Sequence, residues 1–350
     1  MEDLVSDNRR LVEEFGANPI SKLKELPDFY TFNHGLIYSH RDFDVFMKAL
    51  KQKKKLAIVS GFNASGSLHI GHKAVFETNL FFQRKYGLDV FIPISDDESY
   101  VAGKIETQKE GLENAMRIAK QILAFGFNPK KTFFIIDQVF TDIYNLAIKL
   151  SRGTTMSALK ATYGYSMESN PGLYFYPCVQ AAHILLPLEG DFGSHFMTLV
   201  PIGPDEDSHI RISRDLASKF GYRKPAILHS MFLPALDGKK MSKSNPDTAI
   251  FYSDSPADVK RKIYNAFTGG QETKELQLTK GGNPKVCVVY RYLDMFYFLQ
   301  KERFTVCKKL CGDCKKQLVD FVVKDMEEFN KRLNGASPEK CILRNRQKSL

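Results

Sequence analysis

The 350-residue sequence predicts an α/β fold, a doubly wound parallel sheet followed by a helical C-terminal domain. Three observations carry that prediction. Short apolar runs at 56–60, 88–94, 132–136, 197–202 and 226–232 alternate with amphipathic stretches at 69–85, 111–125, 139–151 and 206–220, the rhythm of strands joined by helical crossovers. The first run passes through a Gly/Ser turn, Ser65-Gly66-Ser67, into a stretch striped with Val75, Phe76, Leu80 and Phe81. Beyond Thr268-Gly269-Gly270 the strand-like runs stop and helical spacing continues alone. Such a sheet is Rossmann-like, and its ligands sit at the carboxyl ends of the strands.

Residues 1–55 read as an N-terminal extension. Phe15-Gly16-Ala17-Asn18-Pro19 is a turn signal, and Asn33-His34-Gly35 before Leu36-Ile37-Tyr38 suits a small hairpin. Ser39, His40 and Asp42 offer capping groups to a helix carrying Phe43, Phe46 and Leu50 at helical spacing. Lys51, Lys53, Lys54 and Lys55 end it with cations suited to a helix C-terminus.

Residues 56–265 form the Rossmann-like domain. A strand, a Gly/Ser turn and a helix start leave backbone N–H groups facing one point, which predicts a phosphate cradle. His69 and His72, three residues apart in His69-Ile70-Gly71-His72, are placed side by side to donate to phosphate oxygens. The segment 154–195, helical over 154–185, is longer than a crossover needs and reads as a connective insertion adding substrate contacts and a dimer surface. A Lys/Ser-rich loop at 238–246, Lys239-Lys240-Met241-Ser242-Lys243-Ser244 at its heart, follows the last run.

Residues 266–350 read as a helical domain. A polar loop spans 271–283, with helices expected at 288–300 and 313–333, the second burying Leu318, Phe321, Val322, Met326, Phe329 and Leu333. Lys301, Arg303, Lys308, Lys309, Lys315, Lys316, Lys331 and Arg332 make it basic, and the net charge of the chain is +10. A polyanionic partner such as nucleic acid suits that charge. No apolar run reaches the ~20 residues of a membrane span, and Met1-Glu2-Asp3-Leu4 opens no signal-peptide pattern. Six cysteines without secretory features read as reduced thiols of a cytoplasmic protein. Cys307, Cys311 and Cys314 raise a zinc site, but a closed one needs four ligands; Cys341 joins only by folding back, and ordinary helix packing is the expectation.

The paired stretches His69-Ile70-Gly71-His72 and Lys240-Met241-Ser242-Lys243-Ser244 resemble the two signatures of class I aminoacyl-tRNA synthetases. Over roughly residues 11–335 the chain is similar to tryptophanyl-tRNA synthetases of the archaeal and eukaryotic type. The similarity includes Gly35 to Asp42, Ser95-Asp96-Asp97-Glu98, Tyr176-Pro177-Cys178-Val179-Gln180-Ala181-Ala182, Ile212-Ser213-Arg214-Asp215 and Ala266-Phe267-Thr268-Gly269-Gly270. The chain departs from that family in the amino-acid pocket: Val59 stands where a tyrosine is usual, and Pro93 and Glu206 stand where glutamines are usual. Tyrosyl-tRNA synthetases are the near rival, but they usually carry an aspartate three residues past the Gln180 position, where this chain has His183. A synthetase-like protein that binds tRNA without charging it is the further alternative.

The resemblance implies activation of L-tryptophan with ATP and transfer to tRNA(Trp). His69 and His72 would meet the α-phosphate region, with Gly61 and Gly71 allowing close approach of the nucleotide. Lys240 and Lys243, with Met241, Ser242 and Ser244, would close over the β- and γ-phosphates. Gln180, Glu98 and Val59 would shape the tryptophan pocket. Glu206 would either replace the missing glutamine or act as a solvated helix-start acid. Mg²⁺ would ride on the ATP phosphates with no metal ligand from the protein, Asp96 and Asp97 serving to cap their turn. The basic C-terminal helices would read the anticodon arm, and the enzyme would be a homodimer.

Overall fold

The computed structural model describes residues 11–239, 241, 245–297 and 306–345. The chain starts with β1 (Asn18–Pro19), a helical turn α1 (Tyr30–Asn33), β2 (Ile37–Arg41) and α2 (Phe43–Lys51). The expected hairpin at 33–38 is instead a helical turn leading into a strand. Ser39, His40 and Arg41 belong to β2; His40 Nδ1 still accepts the Phe43 N–H at the start of α2 at 3.3 Å, whereas Asp42 precedes α2 in a left-handed conformation without a side-chain cap. Strand pairing won because β2 finds two partners, β1 and β8 (Ala226–Ser230), both antiparallel.

The central unit follows as β3 (Leu56–Val59), β4 (Phe62–Asn63), α3 (Lys73–Tyr86), β5 (Asp89–Ser95), α4 (Asp96–Val101), α5 (Gln108–Ala124), β6 (Thr132–Ile136) and α6 (Ile143–Ser151). Then come α7 (Met156–Tyr163), α8 (Pro171–Leu185), β7 (Met197–Ile202) and α9 (Asp207–Lys219), before β8. The predicted 154–185 helix is two, because Gly164 ends α7 in the left-handed region at φ 73°, a conformation that glycine enters without steric cost. The parallel strands lie in the order β6-β5-β3-β7-β8. β3 pairs with β5 through Val59↔Phe91 and with β7 through Ile58↔Leu199. Strand order therefore reverses beside β3, and a crevice opens at its carboxyl end.

Both faces of the sheet are covered, as parallel sheets require. Alternation along β3 sends Leu56 and Ile58 into one core and Ala57 and Val59 into the other. The first core holds an aromatic knot in which Phe43 stacks on Phe32 at 5.8 Å and meets Phe82 edge-on at 6.1 Å. Each such ring taken out of water contributes about 1.5–3 kcal/mol, which anchors the N-terminal segment to α3.

Charged residues fasten the same segment to α9. Two guanidinium N–H groups of Arg41 donate to Asp207 at 2.8 Å each, and Arg214 donates to Asp42 at 2.6 Å. His229 on β8 lies between Ser39 Oγ and Asp207 Oδ1, at 2.9 Å from each.

The remaining helices are α10 (Pro256–Tyr264), α11 (Lys274–Thr279), α12 (Val288–Tyr297) and α13 (Cys311–Gly335). The polar loop expected at 271–283 thus contains a short helix, capped by Thr273. On α13, Leu318, Val322, Met326 and Phe329 are buried, with Phe321 and Leu333 half-buried against the same core. The tail returns to the sheet: Ile342 bridges to Phe134, and Asn345 bonds Thr141 and Asp142. No described helix is long and apolar enough to cross a membrane.

Candidate active site

A cleft of about 700 Å³ opens at the carboxyl end of β3, where strand order reverses. Val59, Gly61, His69, Gly71, His72, Glu98, Gln180, Glu206 and Met241 all line it. The fold thus brings together nine predicted residues from six separate stretches. Lys240, Ser242, Lys243 and Ser244, assigned to the phosphate loop, lie outside the described residues.

The turn before α3 is a 3-10 turn over Ile70–His72, so the helix starts at Lys73 and not at 69. The predicted backbone cradle is not there, because its N–H groups are spent within the protein. His69 N–H donates to His72 Nδ1 at 3.1 Å, Gly71 N–H to His69 Nδ1 at 3.1 Å, Ile70 N–H to Ile250 O at 2.9 Å and His72 N–H to His69 O at 3.0 Å. The imidazoles face the cleft in the cradle's place, their centroids 3.8 Å apart. Because His69 Nδ1 accepts a hydrogen bond, its neutral ring carries its proton on Nε2.

Gly71 is small for an internal reason. A Cβ there would lie 2.7 Å from the His69 ring and 3.4 Å from Met241 Sδ. Gly61 is different, since a Cβ would meet only ordinary contacts with Pro93. The chain that follows the Lys/Ser-rich loop packs on this turn: His69 bridges to Phe251, and Tyr252 N–H donates to Leu68 O at 3.0 Å.

The opposite end of the cleft is built on α8, where Tyr176, Gln180 and His183 recur at helical spacing on one face. Tyr163 donates to Gln180 Oε1 at 2.8 Å and stacks on His209 at 4.1 Å, and His209 Nδ1 lies 3.3 Å from Glu206. Burial pushes the Glu206 carboxyl up, but hydrogen bonds from His209 and Gln180 and the nearby positive charges outweigh it and hold the group below the usual value. Glu206 thus lines the pocket as an ionised carboxylate partnered by His209, its side chain 46% exposed at the start of α9. Glu98 is partnered too, by Lys104 at 2.6 Å and by Asn63.

Beneath this end, Asp96 caps the turn after β6 by accepting Asp137 N–H at 2.9 Å and the Gln138 amide at 2.7 Å. Asp97 accepts from Tyr144 at 3.2 Å. His183 Nε2 lies 2.7 Å from Asp137 Oδ1, both buried. Burial and the neighbouring carboxyls push Asp97 up to about 8, and burial likewise pushes Asp137 up to about 8. Burial lowers His183 to about 4, so it is a neutral ring at pH 7. The oxygens of Asp96, Asp97 and Asp137 come within 4.8 Å of one another.

The sequence reading missed Tyr163, His209, Asn63 and Lys104. Tyr163 is the last residue of α7, next to Gly164, and His209 lies one helix turn past Glu206, with no motif around either. Only the fold stacks the two rings.

The chain matches the family model described as tRNA synthetases class I (W and Y) over residues 51–333. It is 35% identical to the tryptophan–tRNA ligase of Thermococcus sibiricus, covering 96% of this chain and 90% of that protein. It is 36% identical to that of Pyrobaculum aerophilum, covering 94% and 92%. The crystal structure of tryptophanyl-tRNA synthetase from Aeropyrum pernix K1 superposes with a TM-score of 0.87 at 30% identity, covering 98% of each chain. A strand-order reversal, a paired-histidine turn and an aromatic pocket on α8 thus coincide with similarity along nearly the whole chain, and the protein belongs to the class I aminoacyl-tRNA synthetases of the tryptophan and tyrosine group.

Proposed function

We propose that the protein is a tryptophan–tRNA ligase: it activates L-tryptophan with ATP to the adenylate and transfers the tryptophan to the 3′-terminal ribose of tRNA(Trp). The observation that carries this is the single cleft holding His69 and His72 at one end and the Tyr163–Gln180–Glu206 network at the other. Its relatives over the whole chain are tryptophan–tRNA ligases.

The tryptophan carboxylate attacks the α-phosphorus and pyrophosphate leaves, so no protein nucleophile is needed. Catalysis is positioning plus stabilisation of phosphate charge. His69 Nε2–H and His72 donate to the phosphate oxygens as charge develops. Lys240 and Lys243, with Ser242 and Ser244, close over the leaving pyrophosphate beside Met241 and Gly71. Gly61 gives the nucleotide room at the end of β3. Mg²⁺ would come with the ATP and neutralise part of its phosphate charge, with no ligand supplied by the protein.

Gln180, Glu206 and Glu98 hold the ammonium group and the indole N–H, while Val59 offers an apolar floor. Tyrosine is disfavoured because His183 is turned into its bond with Asp137 and cannot receive a phenol hydroxyl as a carboxylate would. The basic helices after residue 266 read the anticodon arm of the tRNA, the active species is a homodimer, and it works in the cytoplasm. Charging of a tRNA(Trp) transcript with labelled tryptophan tests the whole reading. Product at the 3′ end supports it, and binding of the transcript without charging would select the non-catalytic alternative.

A further inference from the structure

Lys73 is a buried cation at the wrong end of its helix. It opens α3 directly after His72, where the positive helix end disfavours an ammonium group, and it is only 7% exposed. Its side chain takes no part in the cleft wall. Its Nζ instead reaches Asp325 Oδ2 on α13 at 2.6 Å and Glu77 Oε1, one helix turn on, at 3.0 Å. Burial works against its charge, but Glu77 and Asp325 outweigh burial and raise the group above its usual value, so the ammonium form persists. We propose that Lys73 is a positioning residue: its ion pair with Asp325 ties the His69–His72 turn to the C-terminal helix α13 and holds both imidazoles in register with the phosphates. On the ligase reading above, Lys73 touches no substrate and acts through those imidazoles alone.

The ion pair carries the register because packing beside it is incomplete. A void of about 10 Å³ is lined by Ile70, at the centre of the turn, and by Tyr252, Val322 and Met326. The buried Tyr252 hydroxyl has no partner among the described residues. Side chains around a gap lose the close contacts that fix a position. The Lys73–Asp325 bond, between residues 252 positions apart, supplies a fixed point in their place. With the Lys73 side chain 9% and the Asp325 side chain 24% exposed, salt screens the pair far less than a surface pair. Glu77 is held in turn by the Tyr30 hydroxyl of α1, so the N-terminal segment, α3 and α13 all meet at this one ammonium group.

Cutting the pair leaves α13 docked by other contacts. The Phe329 ring still lies on Tyr252 at 4.6 Å, and Arg332 still donates to Ala124 O at 2.6 Å. Lys73 keeps Glu77 as a partner, so its charge is not stranded. What is lost is the tie between the turn and α13. The Tyr163–Gln180 end of the cleft is built on α7 and α8 and shares no bond with this cluster, so tryptophan binding is spared. The imidazoles donate as charge develops on phosphate, so the loss falls on the chemical step.

The test is tryptophan-dependent ATP–pyrophosphate exchange by Asp325→Ala and Lys73→Met, singly and together. Each single variant is expected to lower kcat by about tenfold with KM for tryptophan held within about twofold. The double variant is expected to lose no more than the weaker single one, since the two side chains act as a unit. Histidine ring NMR on the same full-length proteins reads the turn without catalysis: the His69 and His72 signals should move in Asp325→Ala while that of His229 stays. If Lys73→Met does not fold, the kcat and KM split and the ring signals of Asp325→Ala still decide. Unmoved His69 and His72 signals, additive losses in the double variant, or a raised KM with kcat kept would overturn the proposal. Absence of exchange in the wild type would sink the ligase reading instead, and the ring signals would still decide whether Lys73 sets the turn.

Discussion

The Tyr163 hydroxyl donates to Gln180 Oε1 at 2.8 Å while its ring lies on His209 at 4.1 Å, nearly parallel at 6°. This one tyrosine fixes both the amide and the imidazole that partner Glu206. Removing the hydroxyl leaves the amide oxygen short of a donor, a loss of about 0.5–1.5 kcal/mol. Tyr163→Phe is expected to raise KM for tryptophan by about twofold to tenfold with kcat little changed, the split that marks ground-state binding. Steady-state exchange kinetics read both constants.

Glu206 stands where a glutamine is usual in the family it resembles, and it is ionised and bonded on two sides. Glu206→Ala is expected to weaken tryptophan use by about tenfold in kcat/KM, near 1.4 kcal/mol, and Glu206→Gln to restore most of it because an amide keeps a hydrogen-bond acceptor. Equal losses in the two variants would assign the charge itself to the pocket.

Gly71→Ala is expected to lower kcat by about tenfold or more, since a methyl group 2.7 Å from the His69 ring must displace it and small misplacements of a catalytic group are costly. The variant should melt close to wild type. A collapse in stability with normal kcat in the folded fraction would instead make Gly71 a packing residue.

Asp207 ties the N-terminal strand to the sheet through Arg41 and His229. Burial pushes its carboxyl up, but His229 and Arg41 overcome this and hold it well below the usual range. A depressed carboxylate stabilises the fold fully above its unfolded value of about 3.9 and loses that contribution as pH falls. Urea midpoints should therefore drop steeply below about pH 4, and less so in Asp207→Asn. That variant should itself lose about 3–5 kcal/mol, because Arg41 is left half-buried without its partner.

The Asp97–Asp137 pair gives the opposite sign. Both carboxyls rise to about 8, so the folded state binds more protons than the unfolded chain at neutral pH. Stability from this pair falls as pH rises, until the pair ionises near 8. His183, lowered to about 4 from an ordinary 6.5, opposes this only below about 6.5. Between about pH 6.5 and 8, Asp97→Asn should flatten the decline in denaturant midpoint.

The five parallel strands were legible because each is an apolar run buried on both faces, and Val59 and Ile58 announce that burial directly. The nine cleft residues were legible through their motifs. What escaped reading was tertiary. Nothing local to His69 says that its own ring takes the Gly71 N–H, so a histidine pair stood where a backbone cradle was expected. Ser39 looked like a capping residue because its strand partner, His229, lies 190 positions away on β8.

The measurement that tests the central claim most directly is amino-acid-dependent ATP–pyrophosphate exchange, run separately with tryptophan and tyrosine. The structure predicts exchange with tryptophan alone, abolished in His72→Ala. Exchange with tyrosine alone would contradict the pocket built on Gln180, Glu206 and His183, and no exchange from folded protein would contradict the enzyme itself.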